Sequence, residues 1–259
     1  MSESCDVEAS ARDLMAARMS ARTMAGWPSR PPGAFWEAFA IHAAAARLPG
    51  HSVTGWKVGN VTEEQRTKSG IPTVTCAPLL APWTKASPAR FERAKFLAPK
   101  IECEFAFALA KDLPARKTPY SHAEVADAVG AMHPAVEIVD IRLAGGYASP
   151  AVEALADCMA SGGFVPGPAS RDWRKFDLGK AGIVLSADGR EVARATGAVI
   201  LGNPFEALVL LANNPPPWTT LAAGQIVTTG SCTVPFAFDG PGTFVADYGA
   251  LGSVSVVFA

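Results

Sequence analysis

Hydrophobic and polar residues alternate most cleanly over Pro99-Lys100-Ile101-Glu102-Cys103-Glu104-Phe105-Ala106-Phe107-Ala108-Leu109. A period of two predicts a β-strand with unlike faces. Ile101, Cys103, Phe105, Phe107 and Leu109 make the face that belongs in a core. Glu102, Glu104, Ala106 and Ala108 make the other. Two carboxylates followed by two small side chains describe the wall of a cavity that holds a cation. A solvated strand face is the plainer alternative. Pro134 to Val139 is apolar except for Glu137, which predicts a buried strand carrying one acid. A carboxylate left unpaired there would be costly. Its partner is a shared cation, Arg142, or a lysine distant in sequence. Glu102, Glu104 and Glu137 converging on one divalent cation would meet the need. Oxygen-only ligation favours Mg²⁺ or Mn²⁺ over Zn²⁺.

The rest of the pattern divides at about residue 50. Val7 to Met24 is rich in good helix formers, with Leu14, Ala17 and Ala21 at helical spacing. Gly26 to Gly33 reads as a linker, and a second helix runs from about Ala34 to Arg47, carrying His42. Short strands and turns follow. Val53 to Val58 is a predicted strand containing Gly55-Trp56-Lys57-Val58-Gly59. Glycines there permit close approach of a ligand or another backbone. Lys57 then reads as a pocket lysine, or else as a strand lysine with its ammonium in water. Glu63 to Ser69 is a short helix, and Gly70 to Leu80 is irregular. Ser121 with Glu124 makes a capping box for a helix to about Met132. A helix is predicted over 149–160, then a strand from Ser161-Gly162-Gly163-Phe164. Asp188-Gly189 turns a hairpin. Asn203 and Pro204 open a helix to about Asn213. Strands close the chain at 225–229, 242–248 and 252–258. Helices first and β-structure after give an α+β protein. Its expected parts are a helical segment, 1–50, and a β-rich catalytic domain, 51–259.

Composition narrows the function. Of 259 residues 49% are hydrophobic and 18% charged, enough for a folded chain with a sizeable core. The net charge is −1 with no basic run, so nothing recruits nucleic acid or an anionic membrane. No apolar run reaches the length of a membrane span. The acidic start, Met1 to Glu8, lacks the apolar region of a signal peptide. Five scattered cysteines, none in a Cys-x-x-Cys pair, fit reduced thiols in the cytoplasm.

Seven stretches in order carry a family resemblance: Gly55 to Gly59, Ile101 to Phe105, Pro134 to Asp140, Ser161 to Phe164, Leu201 to Pro204, Leu221 to Gly230, and Leu251 to Val254. Together they resemble the hydratase/decarboxylase branch of the fumarylacetoacetate hydrolase superfamily, over nearly the whole chain. The branch includes 2-oxopent-4-enoate hydratase and 4-oxalocrotonate decarboxylase, enzymes of aromatic meta-cleavage. The resemblance implies curled, mixed β-sheets with a small N-terminal helical part. It also implies a lyase acting on a small unsaturated 2-oxo acid. Mg²⁺ or Mn²⁺ would be held by Glu102, Glu104 and Glu137. Lys57 would be the catalytic lysine, and Ser161, Thr229 and Gly230 would bind substrate. A homo-oligomer is expected, with a partner enzyme of the same pathway as a further associate. Two other readings stand beside it. One is an acylpyruvate-type C–C hydrolase with His42 or Glu63 as base. The other is a non-catalytic partner subunit of a lyase complex. Two departures bear on the reaction. Where hydratases of the family typically carry Pro-Asp-aromatic-Gly, with an aspartate that helps move protons, this chain reads Val74-Thr75-Cys76-Ala77. Where an asparagine is common before the serine, it has Cys158. Which 2-oxo acid is the substrate, and whether it is hydrated or decarboxylated, stay open at this point.

Overall fold

The computed structural model describes residues 4–259. Two helices lead, α1 (Val7–Met19) and α2 (Phe35–Arg47). Then come β1 (Val53–Gly59), α3 (Glu63–Ser69), β2 (Thr75–Leu80), β3 (Ala89–Phe91) and β4 (Lys100–Leu109). The middle of the chain holds α4 (His122–Ala128), β5 (Val129–Val139), α5 (Ala151–Ala156), β6 (Ser161–Pro166), β7 (Gly182–Ala187) and β8 (Arg190–Thr196). It ends with α6 (Phe205–Asn213), β9 (Ile226–Thr228), β10 (Phe236–Ala237), β11 (Gly242–Asp247) and β12 (Ser253–Phe258). The class is α+β, as the order of elements implies.

The strands form two mixed sheets. The first has the order β2-β1-β9-β4-β5-β6, with β10 added on β4. Its β1–β9 pair is parallel and its β4–β5 pair antiparallel. The second has the order β3-β12-β11-β7-β8. The apolar face of β4 is what the alternation predicts: Ile101, Cys103, Phe105 and Phe107 are fully buried. They share one core with Val254, Val256 and Phe258 of β12, Phe244 of β11, and Leu208 and Leu211 of α6. Burying each such large side chain is worth about 1.5–3 kcal/mol. The Tyr248 hydroxyl, just after β11, lies 2.8 Å from the carbonyl oxygens of both Glu104 and Ala135. It ties the second sheet to the β4–β5 pair from behind. A second core packs Leu14, Phe39 and Ile41 of the leading helices on Leu80, Val139, Ile141 and Leu155.

Local chemistry explains where elements stop. Thr62 and Gln65 form the capping box of α3, and Gly70 ends it at φ 69°. The Asp188-Gly189 hairpin joins β7 to β8, and Asn203 Oδ1 accepts the Phe205 N–H at the start of α6. Other boundaries differ from the sequence reading. The first helix ends at Met19 rather than Met24, because the Ser20 hydroxyl bonds the Ala16 carbonyl and Ala21 turns left-handed at φ 50°. Residues 129–132 leave the predicted helix and open β5, where Ala131 faces Ala108 and Met132 faces Phe107 on β4. Residues 75–80, expected to be irregular, are strand because β1 supplies their ladder. The helix predicted over 149–160 shrinks to α5 and a tight turn, because Cys158, Met159 and Ala160 are all left-handed, with φ 49°, 54° and 58°. Non-glycine residues rarely adopt that conformation, and never cheaply in succession.

Candidate metal and substrate site

The register of β4 on β5 sets Glu102 directly opposite Glu137. Directly paired residues share one face of a sheet, so the two carboxylates stand side by side. Glu104, two residues along, shares that face. One carboxylate oxygen from each of the three lies within 4.8 Å of the others. Like charges directly opposite destabilise a sheet. Glu104 and Glu137 are buried and Glu102 is half-buried. Burial first, then the neighbouring acids Glu137 and Glu102, pushes the Glu104 carboxyl well above the usual carboxylate range. Burial raises Glu102 to about 7, against the pull of Lys57. Beyond the acids, Ala106 does not extend the pocket. It packs with Leu79, Ala135 and Phe164 in a small apolar cluster.

Of the three partners open to Glu137, the structure supplies the distant lysine. Lys57 Nζ crosses from β1 to lie 2.8 Å from Glu137 Oε1, and it also donates to the Met159 carbonyl at 2.9 Å. Arg142 is instead 3.4 Å from Asp140 Oδ2. Burial works to lower the Lys57 pKa, but Glu137, Glu102 and Glu104 outweigh it and hold the ammonium above its usual value. Apart from that ion pair, neither oxygen of Glu137 has a hydrogen-bond partner among the described residues. Three convergent carboxylates with orphaned buried oxygens are a donor set that fits a hard divalent cation.

A cavity of about 410 Å³ opens over Lys57, Glu102 and Glu104, while the fully buried Glu137 lies outside its lining. Lys57, Glu102, Glu104, Thr75 and Gly230 line it. The Gly230 N–H donates to Glu104 Oε2 at 3.3 Å, from a backbone at φ 92°. Ser161 and Thr229 are buried but do not line the cavity, and the Thr229 hydroxyl is committed to the Phe105 carbonyl at 3.1 Å. Thr75 faces Gly59 across the β1–β2 ladder. The two glycines around Lys57 serve different neighbours. A Cβ on Gly59 would sit 2.3 Å from Met159 Cε, whereas one on Gly55 would sit 1.9 Å from the Ile226 carbonyl oxygen. His42 and Glu63 are outside the cavity lining. His42 is fully buried and bonds the Leu155 carbonyl, with its ring at 6.2 Å from that of Trp218.

Lys100, Tyr147 and Met159 are among the lining residues that escaped the sequence reading. Lys100 Nζ sits 3.7 Å over the Tyr147 ring. Period-two spacing from Glu102 puts Lys100 on the acidic face, so that signal was present. Tyr147 and Met159 arrive from turns that no periodicity marks.

The chain is 30% identical over 265 residues to a 2-keto-4-pentenoate hydratase of Burkholderia vietnamiensis (strain G4 / LMG 22486), covering 100% of this chain and 99% of the relative. It is 31% identical over 205 residues to a 4-oxalocrotonate decarboxylase of Pseudomonas sp, covering 78% and 77%. Among solved structures it resembles 4-oxalocrotonate decarboxylase from Pseudomonas putida G7 complexed with magnesium and adipate. The TM-score is 0.85 at 22% identity, over 98% of this chain and 97% of that one. No family model matches the chain. The chain belongs to the hydratase/decarboxylase branch that these relatives define, and it has the fold of the fumarylacetoacetate hydrolase superfamily. Membership of that branch makes it an enzyme of the lyase class.

Proposed function

We propose that the protein is a divalent-metal-dependent lyase acting on a small unsaturated 2-oxo acid of the kind produced by aromatic meta-cleavage. Glu102, Glu104 and Glu137 are its Mg²⁺ or Mn²⁺ ligands and Lys57 is its catalytic residue. The observation that carries this reading is the β4–β5 register, which aims three acids at one point beside one buried lysine. The names of the hydratase and decarboxylase relatives support the substrate class, and the magnesium held by the related decarboxylase supports the metal. When bound, the cation supplies Lewis-acid stabilisation of the enolate formed from the 2-oxo group.

The chain's own residues supply charge and shape. Three carboxylates, a divalent cation and Lys57 sum to zero formal charge. A substrate carboxylate therefore needs a further cation, and Lys100 stands in the same lining. Lys57, held by Glu137 and the Met159 carbonyl, is a buried ammonium placed to return a proton. Gly230 is assigned the direct substrate contact. Ser161 and Thr229 lie outside the lining, and the Thr229 hydroxyl fixes the Phe105 backbone behind the wall.

Thr75 tilts the reading toward decarboxylation. It lines the cavity, the resemblance matches it to the aspartate that the family's hydratases typically carry, and its hydroxyl does not titrate near neutrality. Electrons released on loss of CO₂ need only the electron sink and a late proton. The acylpyruvate hydrolase reading fares worse, since His42 and Glu63 lie outside the lining. The intact acids and lysine weigh against a non-catalytic subunit. We place the N-terminal part at residues 1–50 and the catalytic domain at 51–259. The protein is proposed to act in the cytoplasm as a homo-oligomer, with a pathway enzyme as a further associate. No described helix is long and apolar enough to cross a membrane.

The test is an assay of the purified protein with Mg²⁺ against 2-hydroxypenta-2,4-dienoate, 4-oxalocrotonate and an acylpyruvate. Turnover of either of the first two, abolished by EDTA and by Glu104→Gln, is expected. Turnover of the acylpyruvate alone, or activity indifferent to EDTA, overturns the proposal.

A further inference from the structure

A second cavity, of about 220 Å³, lies apart from the first and shares no lining residue with it. Its lining includes Arg18 of α1 and Arg142, which follows β5, at 4% and 2% exposure. Lys85 and Lys95 stand on the wall, and Glu92 is the one acid among the described lining residues. Buried arginines are normally paired. Arg142 is partly so, with Nη1 at 3.4 Å from Asp140 Oδ2, but that atom has no hydrogen bond. The Asp140 carboxylate is spent on the Leu97 and Ala98 N–H groups, and Asp157 Oδ2 on the Arg142 N–H. Arg18 feels the Asp157 and Glu137 carboxylates only from beyond ion-pair distance. Its guanidinium stacks 3.8 Å from the Trp83 ring centroid, Nε has no hydrogen-bond partner, and it joins no ion pair among the described residues. Burial, then repulsion from Arg142, brings its pKa down to about 9.

A buried guanidinium without an ion-pair partner beside a second one, facing a cavity, is a costly arrangement unless an anion completes it. The walls specify the kind of anion. Trp83, Phe91 and Phe96 give the cavity apolar sides above its cationic floor. A planar carboxylate matches the guanidinium fork, and apolar walls suit an organic body over a fully hydrated inorganic ion. We propose that this second cavity binds a small organic carboxylate, held by Arg18 and Arg142. The proposal uses none of the residues assigned to catalysis, so it stands or falls independently of the reading of the first cavity.

Thermal unfolding of the full chain, with divalent cations removed, tests it with butyrate as probe and inorganic phosphate and chloride at matched ionic strength as comparisons. A ligand that binds only the folded state raises Tm with concentration. Butyrate should raise the Tm of the wild type by a few degrees, in a saturating manner, and chloride should not. Arg18→Met should abolish that rise, while leaving the Tm without butyrate equal to or above that of the wild type, because a buried unpaired charge has been removed. Lys85→Gln with Lys95→Gln, both at exposed positions, should weaken the butyrate response without loss of fold. A response undiminished in Arg18→Met overturns the proposal, as does stabilisation by phosphate alone. A Tm that drops in Arg18→Met and is unmoved by butyrate in the wild type would make Arg18 a packing residue on Trp83 and nothing more.

Discussion

Lys57 Nζ and Glu137 Oε1 lie 2.8 Å apart, on strands β1 and β5, with side chains 6% and 0% exposed. This one contact joins the glycine-flanked lysine to the acid that interrupts a buried apolar strand. Without a metal ion, Lys57 is the buried charge that offsets three acids whose oxygens cluster within 4.8 Å, and Lys100 adds its pull on Glu102.

Removing Lys57 should therefore expose the strain among the acids. In metal-free protein Lys57→Met is expected to cost about 3–5 kcal/mol, the range for breaking a buried pair from one side. Added Mg²⁺ should restore much of that, since it replaces the lost positive charge. Urea unfolding with and without Mg²⁺ measures both, and a loss that Mg²⁺ does not reduce would separate Lys57 from the metal site. Turnover in the presence of Mg²⁺ should still fall.

Glu104→Gln is expected to act in the opposite direction on the metal-free fold. Burial and its two acidic neighbours already disfavour the charged form of Glu104. An amide of the same shape should raise stability without metal and lower Mg²⁺ affinity by at least about tenfold, the smaller of the losses seen even for groups one step removed from a metal. Calorimetric titration and unfolding curves on the same preparation give both numbers.

Thr75→Asp should shift the reaction. Thr75 lines the cavity opposite Gly59, so a carboxyl placed there is within the site. The ratio of hydration to decarboxylation, measured on the dienoate and on 4-oxalocrotonate, is expected to rise. Robust hydration by the wild type that the variant leaves unchanged would remove this position from the mechanism.

Gly55→Ala tests the backbone that presents Lys57. Its Cβ would lie 1.9 Å from the Ile226 carbonyl oxygen, and backbone cannot swing aside as a side chain can. The parallel β1–β9 pairing should be forced apart, at a cost of about 3 kcal/mol or more, the top of the usual overpacking range. Gly182→Ala, with nothing within 4 Å of the new atom, serves as the near-neutral control.

His42 should make stability sensitive to mild acid. Burial brings its pKa down from 6.5 to about 4. The unfolded chain then binds a proton between those values that the folded chain refuses, so this contribution is intact above about pH 6.5 and fades as pH falls toward 4. At about 1.4 kcal/mol per unit, the difference amounts to about 3 kcal/mol. Denaturant unfolding at pH 7 and pH 4.5 should show a shallower decline for His42→Gln, which keeps a donor for the Leu155 carbonyl. Equal declines would mean that His42 already titrates normally in the fold.

Some of this molecule was determined by the sequence alone. The two faces of β4 follow from strict alternation, because successive strand side chains must point to opposite sides. The α3 boundaries follow from Thr62, Gln65 and Gly70, whose capping chemistry is local. The family could be read from seven motifs in order, and Glu137 could be marked as an acid in need of a partner. Tertiary structure decided the rest. Only the β4–β5 register could set Glu102 against Glu137, and only the placing of β1 in the same sheet could bring Lys57, rather than Arg142, to that acid. β2 exists as a strand because β1 pairs with it, and Ala131 and Met132 leave the helical pattern because β4 offers them a ladder. Tyr147, Met159 and the Arg18–Arg142 pair come together from distant turns and helices. Such contacts rest on closing long loops at once in the folded chain, and no window of neighbouring residues contains the free energy that selects them.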